Sequence, residues 1–176
     1  MGKVLPCLLY TSSEDIHKIE FMIHNYSSLQ YLRSLFRREL FFPAVDGKTK
    51  AEALDSLTAS MVETGLISEA FATAIKEREA MSSTEITEMV AIPHCFLSVP
   101  IDTMLAIGIL KEPIMWGRSR VQLLFIGIIN PAVKKNKCVF PMIYRLIQDP
   151  EKVQRLIRQT EADAFLRILF ESIETE

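Results

Sequence analysis

The sequence is poor in the residues from which cross-links and metal centres are built. Its 176 residues include 3 cysteines and 3 histidines. The cysteines, Cys7, Cys95 and Cys138, are odd in number and form no Cys-x-x-Cys pair, which excludes a disulfide framework and a zinc finger. We therefore expect a protein of the reducing cytoplasm that uses no metal and no other cofactor.

An excess of charge of one sign is also lacking. The chain has 20 Lys+Arg against 22 Asp+Glu, whereas a domain that binds nucleic acid through phosphates needs a basic surface. The most hydrophobic stretch, residues 92–110, is interrupted by Pro93, His94, Pro100 and Asp102, and a charge inside a bilayer is costly. We expect neither direct contact with DNA or RNA nor a membrane span.

Helical periodicity dominates the first half of the chain. Apolar residues recur every three to four positions over about residues 16–40, which predicts helix in this stretch, and Pro43 and the Asp46-Gly47 turn end it. The capping box Thr49-Lys50-Ala51-Glu52 predicts the start of another helix, with Gly65 at its end. A further helix is expected from Ser68 to about Met81.

The centre of the chain has the pattern of buried strands. Met89–Ile92, Met104–Leu110 and Val121–Ile129 are short, apolar and rich in Val, Ile and Phe. The helical period then returns, with Asp149-Pro150 as one helix start and Thr160–Asp163 opening the last helix. Helices that come before and after the central strands along the sequence favour a layered α/β domain with a mixed sheet.

One histidine has an unusual setting. His94 follows Pro93 at the end of an apolar strand, where a rigid element can present a side chain at a sheet edge. Neutral imidazole can attack a phosphoryl group through one nitrogen while a hydrogen bond to the other fixes the tautomer. Arg78, one loop away, has a guanidinium that can hold phosphoryl oxygens bidentately. From spacing alone, a helix-surface arginine and a proline-braced core histidine remain the alternative.

The segment around these residues resembles the active-site segment of a known family. The motif consists of Arg78-Glu79, Ser83-Thr84 and Ala91-Ile92-Pro93-His94. It is similar to that of enzyme IIA domains of the mannitol/fructose class, from the bacterial phosphoenolpyruvate-dependent sugar phosphotransferase system. The order of later segments also follows the family, and the resemblance covers about residues 29 to 173. It divides the chain into an N-terminal helical extension or upstream linker, residues 1–28, and an enzyme IIA-like phosphoacceptor domain, residues 29–176.

The resemblance carries expectations for fold and site. It implies a three-layer α/β/α sandwich with a central mixed sheet of about four or five strands. It implies that His94 accepts a phosphoryl group from the carrier protein HPr and that Arg78 binds the phosphate. Glu79, Thr84 and Pro93 are the supporting residues of the motif.

The sequence departs from the family at two places. Many members carry a second histidine at the start of the helix after the long strand, beside the phosphorylated ring. Counting back from Asp149-Pro150 places Asn136 there, and no histidine follows His94. An asparagine amide can donate a hydrogen bond to a phosphoryl oxygen but cannot change its protonation state. Glu88 lies in a turn where glycine is common, and its charge would oppose phosphate unless it points away.

Two residues near the motif are expected to be structural. Trp116, beside Pro113 and Gly117, is predicted to anchor a loop on the domain rather than to stack on a sugar. Cys95 is expected to point away from His94, because neighbours in a strand face opposite sides. This excludes a Cys-His dyad.

Three functions are compatible with the resemblance. The first is a regulatory phosphoacceptor domain of a phosphotransferase-system-controlled transcription activator or antiterminator, in which phosphate on His94 changes docking on a neighbouring module. The missing second histidine, the altered turn and the helical residues 14–26 favour it. The second is an enzyme IIA that passes phosphate to an enzyme IIB during sugar uptake, since Pro93-His94-Cys95 matches galactitol-type members. The third is a binding domain that keeps the fold but is no longer phosphorylated.

Overall fold

A computed structural model describes residue 17, residues 26–96 and residues 102–171. Most of the predicted extension, residues 1–28, lies outside the described residues. Residues 26–35 are helical and are named α1. The elements that follow are β1 (Phe36–Val45), α2 (Lys50–Glu63), α3 (Glu69–Met81), β2 (Glu85–Thr87), β3 (Met89–Ala91), β4 (His94–Phe96), β5 (Met104–Met115), β6 (Arg120–Ile129), a 3-10 helix (Lys134–Cys138), α4 (Val139–Leu146), α5 (Pro150–Ile157) and α6 (Ala162–Phe170).

The strands form one mixed sheet. Its order is β1-β5-β6-β3-β2, and β4 also pairs with β6. β5 and β6 run antiparallel at the centre, whereas β1 is parallel to β5 and both β3 and β4 are parallel to β6. The predicted mixed sheet is confirmed, and the described residues contribute six strands to it instead of about four or five.

Pro93 accounts for the additional strand. Ala91 pairs with Leu124 and His94 pairs with Gly127, so β3 and β4 follow the same register along β6. Proline has no N–H to donate to a ladder, and the row of hydrogen bonds is interrupted between the two strands. β3 and β4 therefore occupy one row of the sheet.

The prediction of helix up to Leu40 is wrong at its end, because the chain enters strand β1 at Phe36. Phe36 pairs with Leu105 and Phe41 with Ile107, so a bulge on β1 holds the intervening residues. This bulge buries both Phe36 and Leu40 and leaves the three residues between them exposed, a spacing that resembles one turn of helix. β1 lies at the sheet edge, where Pro43 is tolerated.

Helices cover both faces of the sheet, which confirms the three-layer α/β/α sandwich. On one face, α1 and α4–α6 pack against alternate residues of the central strands, including Leu123 and Phe125 of β6. On the other face, α2 and α3 pack against the alternate strand residues that point to that side, including Leu124 and Ile126. This alternation follows from the two-residue period of a strand, with both faces buried. No helix within the described residues is long and apolar enough to cross a membrane.

Several predicted helix ends are confirmed. The Thr49 hydroxyl accepts from the Glu52 amide at 3.2 Å, and Gly65, just past α2, has φ +73°. Ser68 caps α3, and the Asp149 carboxylate accepts from the Glu151 amide at 2.9 Å at the start of α5. Of these signals, the Ser68 cap marks the start of α3, the helix that carries Arg78.

Candidate active site

The backbone around His94 is held on two sides. The carbonyl of Pro93 accepts from the Gly127 amide at 2.8 Å, and the Ile92 amide donates to the carbonyl of Thr84 at 3.0 Å. Pro93 itself fixes its own φ and pushes Ile92 towards an extended conformation. The half-buried His94 side chain therefore projects from a rigid point of the sheet.

The imidazole of His94 is hydrogen-bonded to its own chain. Its Nδ1 lies 2.9 Å from the carbonyl oxygen of Ile92. A carbonyl oxygen only accepts, so Nδ1 carries the proton, and in the neutral ring the lone pair is on Nε2. Burial lowers the pKa of His94, and the nearby charge of Arg78 lowers it too, although the Ile92 hydrogen bond and Glu79 act in the opposite direction. The neutral, nucleophilic form is thereby favoured.

Phe140 of α4 packs against the imidazole. The two ring centroids are 4.6 Å apart at an interplanar angle of 47°. The aromatic ring beside His94 therefore belongs to Phe140. Counting back from Asp149-Pro150 selected Asn136, four residues earlier. Asn136 lies in the 3-10 helix that precedes α4. Gly127, opposite His94 in the sheet, makes room: a Cβ there would come within 2.9 Å of Phe140 Cε1 and 3.1 Å of His94 Cβ.

Arg78 lies in the last turn of α3. Its Nη1 donates to the carbonyl of Ser82 at 3.0 Å, which uses one of the five guanidinium N–H groups. Its charge acts on the pKa of His94, as stated above. The two residues that the motif pairs are therefore electrostatic neighbours in the fold.

Glu79 is the buried centre of a hydrogen-bond cluster. It is 1% exposed and accepts from the Thr84 hydroxyl at 2.5 Å, the Thr84 amide at 3.1 Å and Trp116 Nε1 at 2.7 Å. Lys50 Nζ lies 3.4 Å from the same carboxylate. These contacts tie the end of α3 to the start of α2, to β2 and to the end of β5. Glu79 thus fixes the helix end on which Arg78 stands.

Trp116 and Cys95 have the structural roles that the sequence predicts. Trp116 is 3% exposed and anchors its loop through the bond to Glu79. Cys95 packs in the core beneath α2 and α3, while His94 contacts α4 on the opposite side. Burial raises the pKa of the Cys95 thiol to about 11, so it is protonated at neutral pH.

Asn136 is buried in a separate cluster at the carboxyl end of β6. Its amide nitrogen donates to the Thr103 hydroxyl at 2.7 Å and to the carbonyl of Asn130, and its oxygen accepts from the Tyr31 hydroxyl at 2.6 Å. Both N–H groups of the amide are therefore engaged within the domain. In this conformation Asn136 joins α1 to the 3-10 helix.

The turn between β2 and β3 keeps a glycine-like backbone. Met89 has φ +71°, in the left-handed region that glycine adopts without penalty. Glu88 beside it is exposed, and the charged groups that act on the pKa of His94 are Arg78 and Glu79. The altered residues thus occupy a turn of the kind expected from the family.

Comparison with known proteins identifies the family. Residues 34–172 match the sequence family described as "Phosphoenolpyruvate-dependent sugar phosphotransferase system, EIIA 2". The chain belongs to this family. The match includes the whole motif from Arg78 to His94, together with Phe140 and Asn136.

Two similar proteins are transcription regulators from Bacillus subtilis (strain 168). The chain is 31% identical over 148 residues to the "Probable licABCH operon regulator" and 29% identical over 128 residues to "Transcriptional regulator ManR". These matches cover 82% and 72% of this chain, but 22% and 20% of the two regulators. The chain spans about a fifth of the length of these relatives.

Solved structures share the fold of this EIIA domain. The mannitol IIA of Escherichia coli superposes with a TM-score of 0.64 at 20% identity, over 74% of this chain and 96% of that one. The nitrogen regulatory protein IIA-Ntr of Neisseria meningitidis gives 0.70 at 17% identity, over 79% and 99%. The Escherichia coli enzyme IIAMTL, solved in complex with phosphorylated enzyme IIBMTL, gives 0.66 at 20% identity, over 78% and 99%.

Proposed function

We propose that this EIIA domain accepts a phosphoryl group from HPr on Nε2 of His94. The observation that carries the proposal is the 2.9 Å hydrogen bond between Nδ1 of His94 and the Ile92 carbonyl. It leaves Nε2 as the nucleophilic nitrogen of a ring whose pKa is lowered by burial. A neutral imidazole with a fixed tautomer is what attack on phosphorus requires.

The transfer needs neither a metal nor an added base. The Nε2 lone pair forms the new bond to phosphorus as the phosphorus–nitrogen bond of the donor breaks, and that electron pair returns to the donor imidazole. His94 keeps its Nδ1 proton on the Ile92 carbonyl, and the donor ring keeps its own proton. The domain contributes mainly positioning and electrostatic stabilisation, as in other phosphoryl transfers.

Arg78 is the proposed phosphate-binding residue. Its guanidinium neutralises charge on the equatorial oxygens and matches their geometry. Glu79 and Thr84 act indirectly, because their buried hydrogen bonds hold the end of α3 against the sheet. Pro93 supports His94 through its rigid backbone.

The regulatory role is the preferred one. The relatives with about 30% identity are a licABCH operon regulator and ManR, and this chain corresponds to about a fifth of such proteins. Phosphate on His94 adds about 1.5–2 negative charges, which would change docking on a neighbouring regulatory module in the bacterial cytoplasm. Within this arrangement residues 29–176 are the phosphoacceptor domain, and residues 1–28 are an N-terminal helical extension or a link to an upstream module.

Sugar transport is the second candidate. It is favoured by the fold shared with enzyme IIAMTL, which has been solved with phosphorylated enzyme IIBMTL. In this role the domain would pass the phosphoryl group to an enzyme IIB. A domain that keeps only the fold would take up no phosphate at all.

Intact-mass spectrometry tests phosphate uptake. The chain is incubated with phosphoenolpyruvate, enzyme I and HPr from the same source and kept at alkaline pH, because phosphohistidine is labile in acid. We expect one added phosphate on the wild type and none on His94→Ala. His17→Ala is the control, because His17 is exposed and lies outside the site, and it should also gain one phosphate. Absence of phosphate on the wild type would overturn the proposal, as would its retention on His94→Ala.

The two roles differ in what happens to the phosphate afterwards. Phosphorylated domain is freed of HPr and mixed with enzyme IIB domains from the same genome. The regulatory role predicts that the added mass persists, with the same half-life as in buffer. Rapid transfer to one enzyme IIB would establish the transport role instead.

A further inference from the structure

We propose that Phe140 is the positioning residue that holds the His94 imidazole so that Nε2 faces the phosphoryl donor. The inference rests on the proposed function and assigns a role that the motif itself leaves open. The residues that carry it come from three elements: His94 from β4, Gly127 from β6 and Phe140 from α4.

The hydrogen bond to Ile92 is a weak restraint by itself. The second side-chain torsion of histidine is broad and roughly two-fold. The ring can therefore rotate by half a turn, which exchanges the positions of its nitrogen and carbon atoms. A single net hydrogen bond favours one orientation by roughly tenfold. A second restraint strengthens this preference for one orientation.

Phe140 supplies that restraint by contact. Its ring centroid lies 4.6 Å from that of His94, at an interplanar angle of 47°, a tilted aromatic contact of the favoured kind. The Phe140 ring packs closely against the backbone of Gly127. A Cβ at Gly127 would lie 2.9 Å from Phe140 Cε1 and 3.1 Å from Phe140 Cζ. Turning the imidazole over would require Phe140 to move.

Phe140 acts on orientation alone. Its side chain has no donor, no acceptor and no proton to exchange, so it cannot take part in the transfer as a second imidazole would. It also removes water from one face of the His94 ring, consistent with the burial that lowers the pKa of that histidine. Its effect should therefore appear in ring geometry and in the identity of the phosphorylated nitrogen.

The test uses protein labelled with ¹⁵N in histidine. The variants are Phe140→Leu, which removes the ring but keeps an apolar side chain, and Gly127→Ala, which adds a Cβ at the contact. Tyr144→Ala is the matched control, because Tyr144 is an aromatic residue one turn later on α4 and 47% exposed. Circular dichroism and thermal melting select conditions in which every variant is folded.

Two readouts decide the outcome. Ring ¹⁵N shifts report the tautomer of His94 in the unphosphorylated protein, and ³¹P-coupled spectra after treatment with HPr or potassium phosphoramidate report the phosphorylated nitrogen. We expect wild type and Tyr144→Ala to show the Nδ1–H tautomer and phosphate on Nε2. Both site variants should show a minor second tautomer and a minor fraction of phosphate on Nδ1, each on the order of a tenth, because the Ile92 hydrogen bond alone still favours one orientation by roughly tenfold. Initial rates should fall by only about a tenth, in proportion to the population of the competent orientation.

The outcomes separate this inference from the proposed function. If Phe140→Leu and Gly127→Ala keep the wild-type tautomer, the positioning role is overturned even if all proteins are phosphorylated. If the wild type takes phosphate from neither donor, the proposed function fails. The tautomer spectra of the unphosphorylated proteins then still decide whether Phe140 orients the ring.

Discussion

The carbonyl oxygen of Ile92 lies 2.9 Å from Nδ1 of His94, two residues further along the chain. Pro93 between them restricts the backbone of this segment, because its ring fixes φ. The bond favours the Nδ1–H tautomer through a contact within the local sequence. The Ile-Pro-His segment therefore favours Nε2 as the reactive nitrogen, and the proposed contact with Phe140 adds to this preference.

The pH dependence of His94 follows from its lowered pKa. Burial disfavours the imidazolium, so the ring stays neutral as the pH falls below the ordinary value near 6.5. We expect phosphoryl acceptance to persist below pH 6.5 and to decline only at the lower pKa of the folded protein. A carbon-detected NMR titration of His94 checks this, with an unstructured peptide of the same local sequence as the control. A titration midpoint at or above that of the peptide would contradict the expectation.

The same shift makes a small contribution to stability that depends on pH. Between the lowered pKa of the folded state and the ordinary pKa, the unfolded chain binds more protons at this histidine than the folded chain does. The contribution of His94 to stability is therefore complete above the unfolded pKa and decreases as the pH falls through this interval. Denaturant titrations of wild type and His94→Gln between pH 5 and 8 measure it. Equal pH slopes for the two proteins would contradict it.

Arg78 should matter for transfer more than for folding. We expect Arg78→Ala to lower the initial rate of phosphorylation by on the order of 10²-fold, the effect of losing a charged donor in a transition state. Arg78→Lys should be intermediate, because an ammonium keeps the charge but cannot bind bidentately. Arg167→Ala, which changes an exposed arginine in the last turn of α6, is the control. A rate for Arg78→Ala equal to that of the control would remove Arg78 from the site.

The Glu79 cluster should stabilise the fold and, through it, Arg78. Trp116→Phe removes one hydrogen bond to a buried carboxylate, and we expect it to lower the free energy of unfolding by about 1.5–3 kcal/mol. Lys50→Met, which removes the more distant and partly exposed partner, should cost less than about 1 kcal/mol. Urea denaturation followed by circular dichroism measures both. The reverse order of effects would mean that the ion pair holds Glu79.

Asn136 tests whether the buried amide has a role beyond structure. Asn136→Ala removes the hydrogen bonds of this amide to Thr103, Asn130 and Tyr31, and we expect it to lower the free energy of unfolding by about 1–3 kcal/mol. Tyr31→Phe, which removes one of these bonds, should cost about 1 kcal/mol. At a temperature where both are folded, phosphorylation rates should equal that of the wild type. A rate loss specific to Asn136→Ala would assign the amide to the phosphate.

The parts of the fold that the sequence predicted are those with local signals. The Thr49 capping box, Gly65 and Asp149-Pro150 mark helix ends through contacts within a few residues, and all three hold. β1 was missed because its buried residues are spaced by a bulge that forms only on pairing with β5. Spacing within one segment cannot distinguish such a bulge from a turn of helix.

The sequence indicates which candidate residues are neighbours where the motif is continuous, but not where the chain returns from a distance. Glu79 and Thr84 lie in one short segment with Arg78 and His94 and are hydrogen-bonded to each other in the structure. The contact of Phe140 with His94 depends on how the 3-10 helix and α4 pack on the sheet, so counting along the sequence selected Asn136. Gly127 was the available signal, because a glycine within a buried apolar strand indicates a close approach of another group.

The most direct test of phosphorylation at His94 is an NMR spectrum of the chain treated with phosphorylated HPr, with histidine labelled by ¹⁵N. We expect one phosphohistidine, with the phosphorus coupled to Nε2 of His94 and the proton retained on Nδ1. A phosphorus coupled to Nδ1 of His94 or to any other histidine, or no phosphohistidine at all with an active HPr, would contradict it.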